Sequence, residues 1–274
     1  MSPITRAAPR HSTGFSLVEL MIALALGLLL TQAVLSIFLS STRTYRTSEA
    51  VSQMQEQGRF AILLTSPVIR QAGYVPDPIS SFSDRSKAFD PALEKRAIRG
   101  YNDSAPTLYT GVTSAEVATG TDVIAIAYMG RTNTGDTPLR TCLGDPISDT
   151  QLAVNVFYIT KPTADGTSSL ACYSNVGSNT NDLATGVVRN EPLVAGINDM
   201  QATYGIDTDG DRAANQYVTA NNVADWTRVV SVRLRFTADS VVKGAAGAAN
   251  SAGVQDGRIR REFSTTLQIR NRLS

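Results

Sequence analysis

The hydrophobic positions of this chain first run together and then fall into two successive periodicities. From Phe15 to Leu39 they are almost continuous, without proline and without charge after Glu19; only Ser16, Thr31, Gln32 and Ser36 interrupt them. About 25 such residues make roughly 37 Å of helix, enough to cross a bilayer core with some tilt. From Ser40 to about Gln71 the pattern becomes helical and mixed. Gln53, Met54, Gln55, Glu56 and Gln57 favour helix, and no proline intervenes before Pro67. Ala50, Met54, Ala61, Thr65 and Ile69 form a loose apolar stripe at helical spacing, which predicts a face laid against a sheet. The alternative is an independent amphipathic helix on the membrane surface. Gly58 is a soft point in this helix, Pro67 should kink or end it, and Gly73 suits the position just past its C-terminus.

Beyond a proline-rich, turn-rich stretch from Tyr74 to about Thr119, the period shortens to two. Thr121–Met129 is apolar on both faces and predicts a central strand. Leu152–Ile159 and Ser169–Tyr173 predict a hairpin around Asp165-Gly166. Asn175–Asn190 reads as a polar loop, and Glu191–Ile197 leads into a further strand at Met200–Ile206. The last two strands alternate most clearly. In 228–236, Val230, Val232, Leu234 and Phe236 share one face. In 258–270, Ile259, Phe263, Thr265, Leu267 and Ile269 face in, while Arg258, Arg260, Glu262, Gln268 and Arg270 face out. The Gly- and Ala-rich stretch Lys243–Gly257 reads as a flexible connection between them. The fold class is therefore α+β: a long N-terminal helix packed on a C-terminal antiparallel sheet with long loops. Residues 1–14 form a leader, 15–72 the helix (15–39 its membrane part), and 73–274 a β-rich globular domain.

Glu19 is the residue that simple explanations leave over. A cleaved secretory signal has a shorter apolar core, with its cut on the far side. A signal anchor explains the length, and Arg6 and Arg10 on the cytoplasmic side, but not a carboxylate that costs about 2.5 kcal/mol or more in a spanning helix. Gly14, Phe15 and Glu19 stand at fixed offsets before the apolar run, after a short basic leader. In this the chain resembles the type IV pilin family. Ile69-Arg70-Gln71-Ala72-Gly73-Tyr74, Gln57-Gly58-Arg59-Phe60, the stretch Tyr204–Asp211 and Leu267–Arg272 further resemble the PilW-type minor pilins. The J-type pseudopilins of type II secretion are related, but they tend to be shorter and to lack the acidic turn.

The resemblance implies a function and its sites. A prepilin peptidase would cut between Gly14 and Phe15, and Phe15 would be N-methylated. Glu19 would pair with the terminal amine of a neighbouring subunit during assembly. The partners implied are the peptidase, other minor pilins, the major pilin, the inner membrane and a tip adhesin. The localisation implied is a single pass in a bacterial inner membrane with a periplasmic C-terminal domain, and later the filament or its tip. The function implied is priming and assembly of a type IV pilus; the alternatives are a type II secretion pseudopilin or a tip module contacting DNA, a surface or an adhesin.

Composition narrows the picture further. The formal net charge is +1, and losing Arg6 and Arg10 with the leader leaves 23 basic against 24 acidic residues. Near-neutrality speaks against a chain built mainly for nucleic acid. The outward arginines of 228–272 could contact phosphates, but on half-exposed strands such charges also prevent edge aggregation. The only histidine, His11, lies in the leader, which removes His-based triads and metal sites from the processed chain. No phosphate-binding glycine motif is present, so no enzyme is expected.

Two cysteines, Cys142 and Cys172, would lie beyond the membrane in an oxidising space, and are read as one disulfide or as two separate thiols. Many relatives carry Gly-Cys just after the helix exit, whereas this chain has Val75-Pro76; that favours the Cys142–Cys172 pairing. Asp207, Asp209 and Asp211 surround Gly210 in an acidic turn. A Ca²⁺ ion would suit three carboxylates, but the spacing is not an EF-hand, since Val218 stands where its closing Glu would be. A tight Asp-Gly turn accounts for the same residues, so no cofactor is required.

Overall fold

The computed structural model describes residues 14, 16–76, 97–103, 112–113, 115–131, 137–164, 166–177, 186–240 and 258–270. The leader up to residue 13, Phe15, Asp165 of the expected hairpin turn and the Lys243–Gly257 connection lie outside the described residues. One uninterrupted helix, α1, runs from Leu17 to Arg70, with Pro67 in its last turn. The chain divides after Ser48 into two compact units rather than at the helix end. The second helical half belongs to the globular unit because Ala50, Met54, Gly58, Ala61, Thr65, Val68 and Ile69 are buried in it. This is the expected stripe, extended by Gly58 and Val68. Gly73 takes φ of 77°, as its place after the helix requires.

Among the described residues nine strands follow: β1 (Ile98–Tyr101), β2 (Val123–Met129), β3 (Leu152–Ile159), β4 (Ser169–Gly177), β5 (Val187–Ala195), β6 (Ile197–Ile206), β7 (Gln216–Val218), β8 (Val229–Asp239) and β9 (Arg260–Gln268). They make two antiparallel sheets instead of the single one expected, ordered β1-β2-β3-β4-β5 and β7-β6-β8-β9. The break falls at Gly196, whose φ of 81° turns the chain from β5 into β6. Its N–H donates to the Ser168 carbonyl at 2.9 Å and its own carbonyl accepts from Asp239 at 2.7 Å, so the junction is held to both sheets.

One face of β2, β3 and β4 (Ile124, Ile126, Tyr128, Phe157, Cys172) joins Met54, Ala61 and Ile69 of α1 and Met200, Tyr204, Leu234 and Phe236 of the second sheet in the main core. The other face (Val123, Ala125, Val154, Val156, Tyr173) packs under Val75, Val112 and Val117. That covering explains why β2 and β3 are apolar on both sides. Burying an aliphatic or aromatic side chain fully contributes about 1.5–3 kcal/mol, so these layers carry most of the stability of the globular unit.

Three strands escape the sequence pattern, and one residue reverses its expected face. β4 runs on to Gly177 and β5 begins at Val187, both inside the stretch 175–190 read as a polar loop, so β5 is a strand of its own rather than a lead into β6. β1 lies in a stretch read as irregular, and β7 is a three-residue hairpin partner of β6. Arg258, placed on the solvent face, is buried at 4 % exposure. β9 starts only at Arg260; the residues before it lie outside the strand, where the Ser240 N–H donates to the Ile259 carbonyl at 2.9 Å. Arg260, also expected to face out, is half-buried and pairs with Asp239 at 3.0 Å.

Candidate functional site

The N-terminal unit presents an apolar rod. Gly14 is exposed, and α1 opens when the Leu20 N–H donates to the Ser16 carbonyl at 3.1 Å. Glu19 sits in the first turn, where the helix dipole favours a carboxylate. From Leu17 to Leu39 the large apolar side chains are 48–75 % exposed, and the stretch is long and apolar enough to cross a membrane. Its hydroxyls are satisfied within the helix: Thr31 donates to the Gly27 and Leu28 carbonyls, each at 2.9 Å, and Ser36 to Ala33 at 2.8 Å. Such internal hydrogen bonds let Ser and Thr sit in hydrocarbon. The geometry thus leaves Glu19 as the one ionisable side chain between Leu17 and Leu39.

In the globular unit Cys142 and Cys172 form a disulfide, with Cα atoms 6.5 Å apart. It fastens the loop between β2 and β3 onto β4. Cys142 N–H also donates to Asn155 Oδ1 at 2.8 Å, and Asp145 of the same loop pairs with Arg189 of β5 at 2.9 Å. The loop is therefore fixed at three points, to β3, β4 and β5.

Asp207, Asp209 and Asp211 come together in the β6–β7 loop, their nearest oxygens all within 4.8 Å of one another. Asp207 is buried, and its carboxylate accepts from the N–H groups of Gly210 at 2.6 Å and Arg212 at 3.1 Å. Asp209 accepts from Asn215 Nδ2 at 3.1 Å, and Asp211 from the Ala213 N–H at 2.7 Å. Gly210 and Arg212 both have positive φ. Each carboxylate is thus used in folding the turn onto itself. A cation would have to share oxygens already engaged by N–H donors, and two of the three groups face solvent. The arrangement fits a structural turn better than an ion cage.

Sequence reasoning passed over Asp122, a buried carboxylate just before β2. Its Oδ2 accepts the Ala202 N–H at 2.8 Å, and its own N–H donates to the Met200 carbonyl at 2.9 Å. Burial is the main cause that raises its pKa, with the two backbone donors pulling the other way and the Asp103 and Asp199 charges adding to the rise. Nothing in the local sequence distinguishes it from an ordinary turn aspartate.

The N-terminal segment, residues 9–31, matches the model of the prokaryotic N-terminal methylation motif. Residues 156–271 match the model described as Type IV Pilus-assembly protein W. No curated protein matches the chain. Among solved structures, a type IV-like pilin from Thermus thermophilus aligns over 79 % of this chain and 95 % of its own, with 11 % identity and a TM-score of 0.43. One family match falls on the exposed helix with its glycine junction and the other on the strands from within β3 to β9, and the two together support a type IV pilin family with a PilW-like C-terminal region.

Proposed function

We propose that the protein is made as a prepilin, inserted in the inner membrane, cut between Gly14 and Phe15, methylated at Phe15, and used to prime assembly of a type IV pilus at or near its tip. The observation that carries this reading is Glu19. It stands in the first turn of an otherwise apolar, exposed helix, a few residues after the glycine junction. An unpaired carboxylate there is costly, and a terminal amine on an adjoining subunit would relieve the cost on assembly. Prepilin peptidase and other pilins are the partners this reading requires. The periplasm is the oxidising compartment in which the Cys142–Cys172 bridge persists. The PilW match over residues 156–271 includes the acidic turn and favours a pilus over a secretion pseudopilus.

The test is the intact mass and N-terminal sequence of the membrane-extracted protein, from cells with and without prepilin peptidase. A chain beginning at Phe15 and one methyl heavier supports the reading. A chain that keeps Met1–Gly14 in the presence of active peptidase overturns it and leaves a signal-anchored protein.

A further inference from the structure

The C-terminal end of α1, the loop after β2 and the end of β9 together enclose a groove of about 650 Å³ on the globular unit, a size typical of ligand clefts. Its apolar floor is made by Ile62, Leu63, Pro67 and Leu139, and Leu63 is 59 % exposed. Among the described lining residues the charged ones are all of one sign: Arg59, Arg70, Arg131 and Arg270. A second cleft of about 510 Å³ shares Arg70 and Arg270 and adds Arg212. Arg59, Arg70, Arg212 and Arg270 make no ion pair among the described residues, unlike Arg189, Arg235 and Arg260. A chain close to neutral overall thus gathers several cations in one place.

We propose that this groove binds an acidic peptide segment of a partner protein, with an apolar side chain on the floor and carboxylates on the arginines. The inference goes beyond the filament reading and stands independently of it. Arginine presents a planar fork that takes carboxylates bidentately, and several such donors around an exposed apolar floor select charge and apolar character together. The floor also decides between polyanions. Duplex nucleic acid offers phosphates and no apolar side chain, and would leave Ile62, Leu63 and Leu139 without a counterpart. A lipid headgroup likewise engages the arginines alone. An acidic, hydrophobic peptide uses both.

The test uses the full chain in zwitterionic detergent micelles. A fluorescein-labelled peptide of sequence Asp-Asp-Phe-Glu-Leu-Asp-Asp is titrated by anisotropy at low salt. Parallel titrations use the same peptide with Asn and Gln for its acids, the acidic peptide with Ser for Phe and Leu, a duplex DNA oligonucleotide, and phosphatidylglycerol vesicles. The proposal expects the acidic peptide to bind at least about tenfold more tightly than either altered peptide, with affinity falling as salt rises. The R59E/R270E pair, both exposed, should weaken binding at least about tenfold while the melting temperature holds. Leu63→Ser should weaken it with the charges intact. No binding of the acidic peptide, equal binding of the Ser-substituted peptide, affinity unchanged in R59E/R270E, or tighter DNA or vesicle binding that those substitutions abolish would each overturn the proposal.

Discussion

Asp122 closes the edge of β6 at Ala202. The Asp122 N–H donates to Met200 and its side chain accepts from Ala202, so one residue before β2 supplies both halves of a strand pairing to the second sheet. β7 covers β6 only from Tyr204 to Ile206, which leaves this part of the edge for Asp122 to satisfy. The two sheets are joined here by hydrogen bonds as well as by the apolar core.

This joint should make stability depend on pH in an unusual direction. The Asp122 carboxyl is raised above its ordinary value of 3.8, first by burial, and Asp199 is raised for the same leading reason. A carboxyl with a raised folded pKa binds its proton more tightly in the native than in the unfolded chain. Its contribution is therefore fully present below the unfolded value and is lost as pH rises through the folded one. Denaturant unfolding of the full chain in detergent should show a stability loss from about pH 4 upward that is smaller in Asp122→Asn. A loss of equal size in both proteins would show that Asp122 does not carry it.

Gly58 is not the weak point that helix propensity implies. A Cβ there would overlap the ring of Phe263 on β9, so the glycine lets helix and strand approach. Alanine should gain about 1 kcal/mol of helix propensity but lose more to overpacking, about 1–3 kcal/mol. Gly58→Ala should therefore lower the melting temperature of the wild type and raise that of a Phe263→Ala background. A thermal double-mutant cycle reads this change of sign directly.

The disulfide holds the β2–β3 loop to β4 across a sequence separation of 30. Replacing both cysteines by serine should cost about 2–4 kcal/mol, measured by denaturant unfolding without reductant. Cys172 is fully buried, so reductant should act slowly on the folded protein, and mass spectrometry after alkylation should show most of the bridge surviving brief exposure.

The acidic turn separates by burial. Asp207→Ala leaves the Gly210 and Arg212 N–H groups without their acceptor and should cost about 1–3 kcal/mol, whereas Asp209→Ala and Asp211→Ala, both exposed, should each cost less than about 1 kcal/mol. Millimolar Ca²⁺ should leave the melting temperature unchanged. A calcium-dependent rise that Asp209→Ala removes would replace the turn by a metal site.

Much of this molecule is legible along the chain because its strongest signals are local. A continuous apolar run, a helical stripe from Ala50 to Ile69 and the alternation of β8 each follow from side-chain periodicity, which a residue carries wherever it goes. Gly73 and the Gly14–Glu19 spacing are legible for the same reason. β1 is hidden because Gly100 looks like a strand breaker. In the fold the Tyr204 ring fills the space a side chain at Gly100 would need, and Arg99 lies 5.8 Å from the Trp226 ring. β7 is too short for any period to show, and Arg258 is buried just outside β9, where the strand's alternation does not extend.

What the sequence alone determined is therefore the long helix, its membrane-length first half, the processing signature and the β-rich character of the remainder. Tertiary structure decided that the strands form two sheets broken at Gly196, that Asp122 rather than a strand closes part of β6, and that arginines distant in sequence line one groove. Those features depend on which distant residues meet. Sequence separation hides that, because packing and hydrogen bonding between non-local residues act only once the chain is folded.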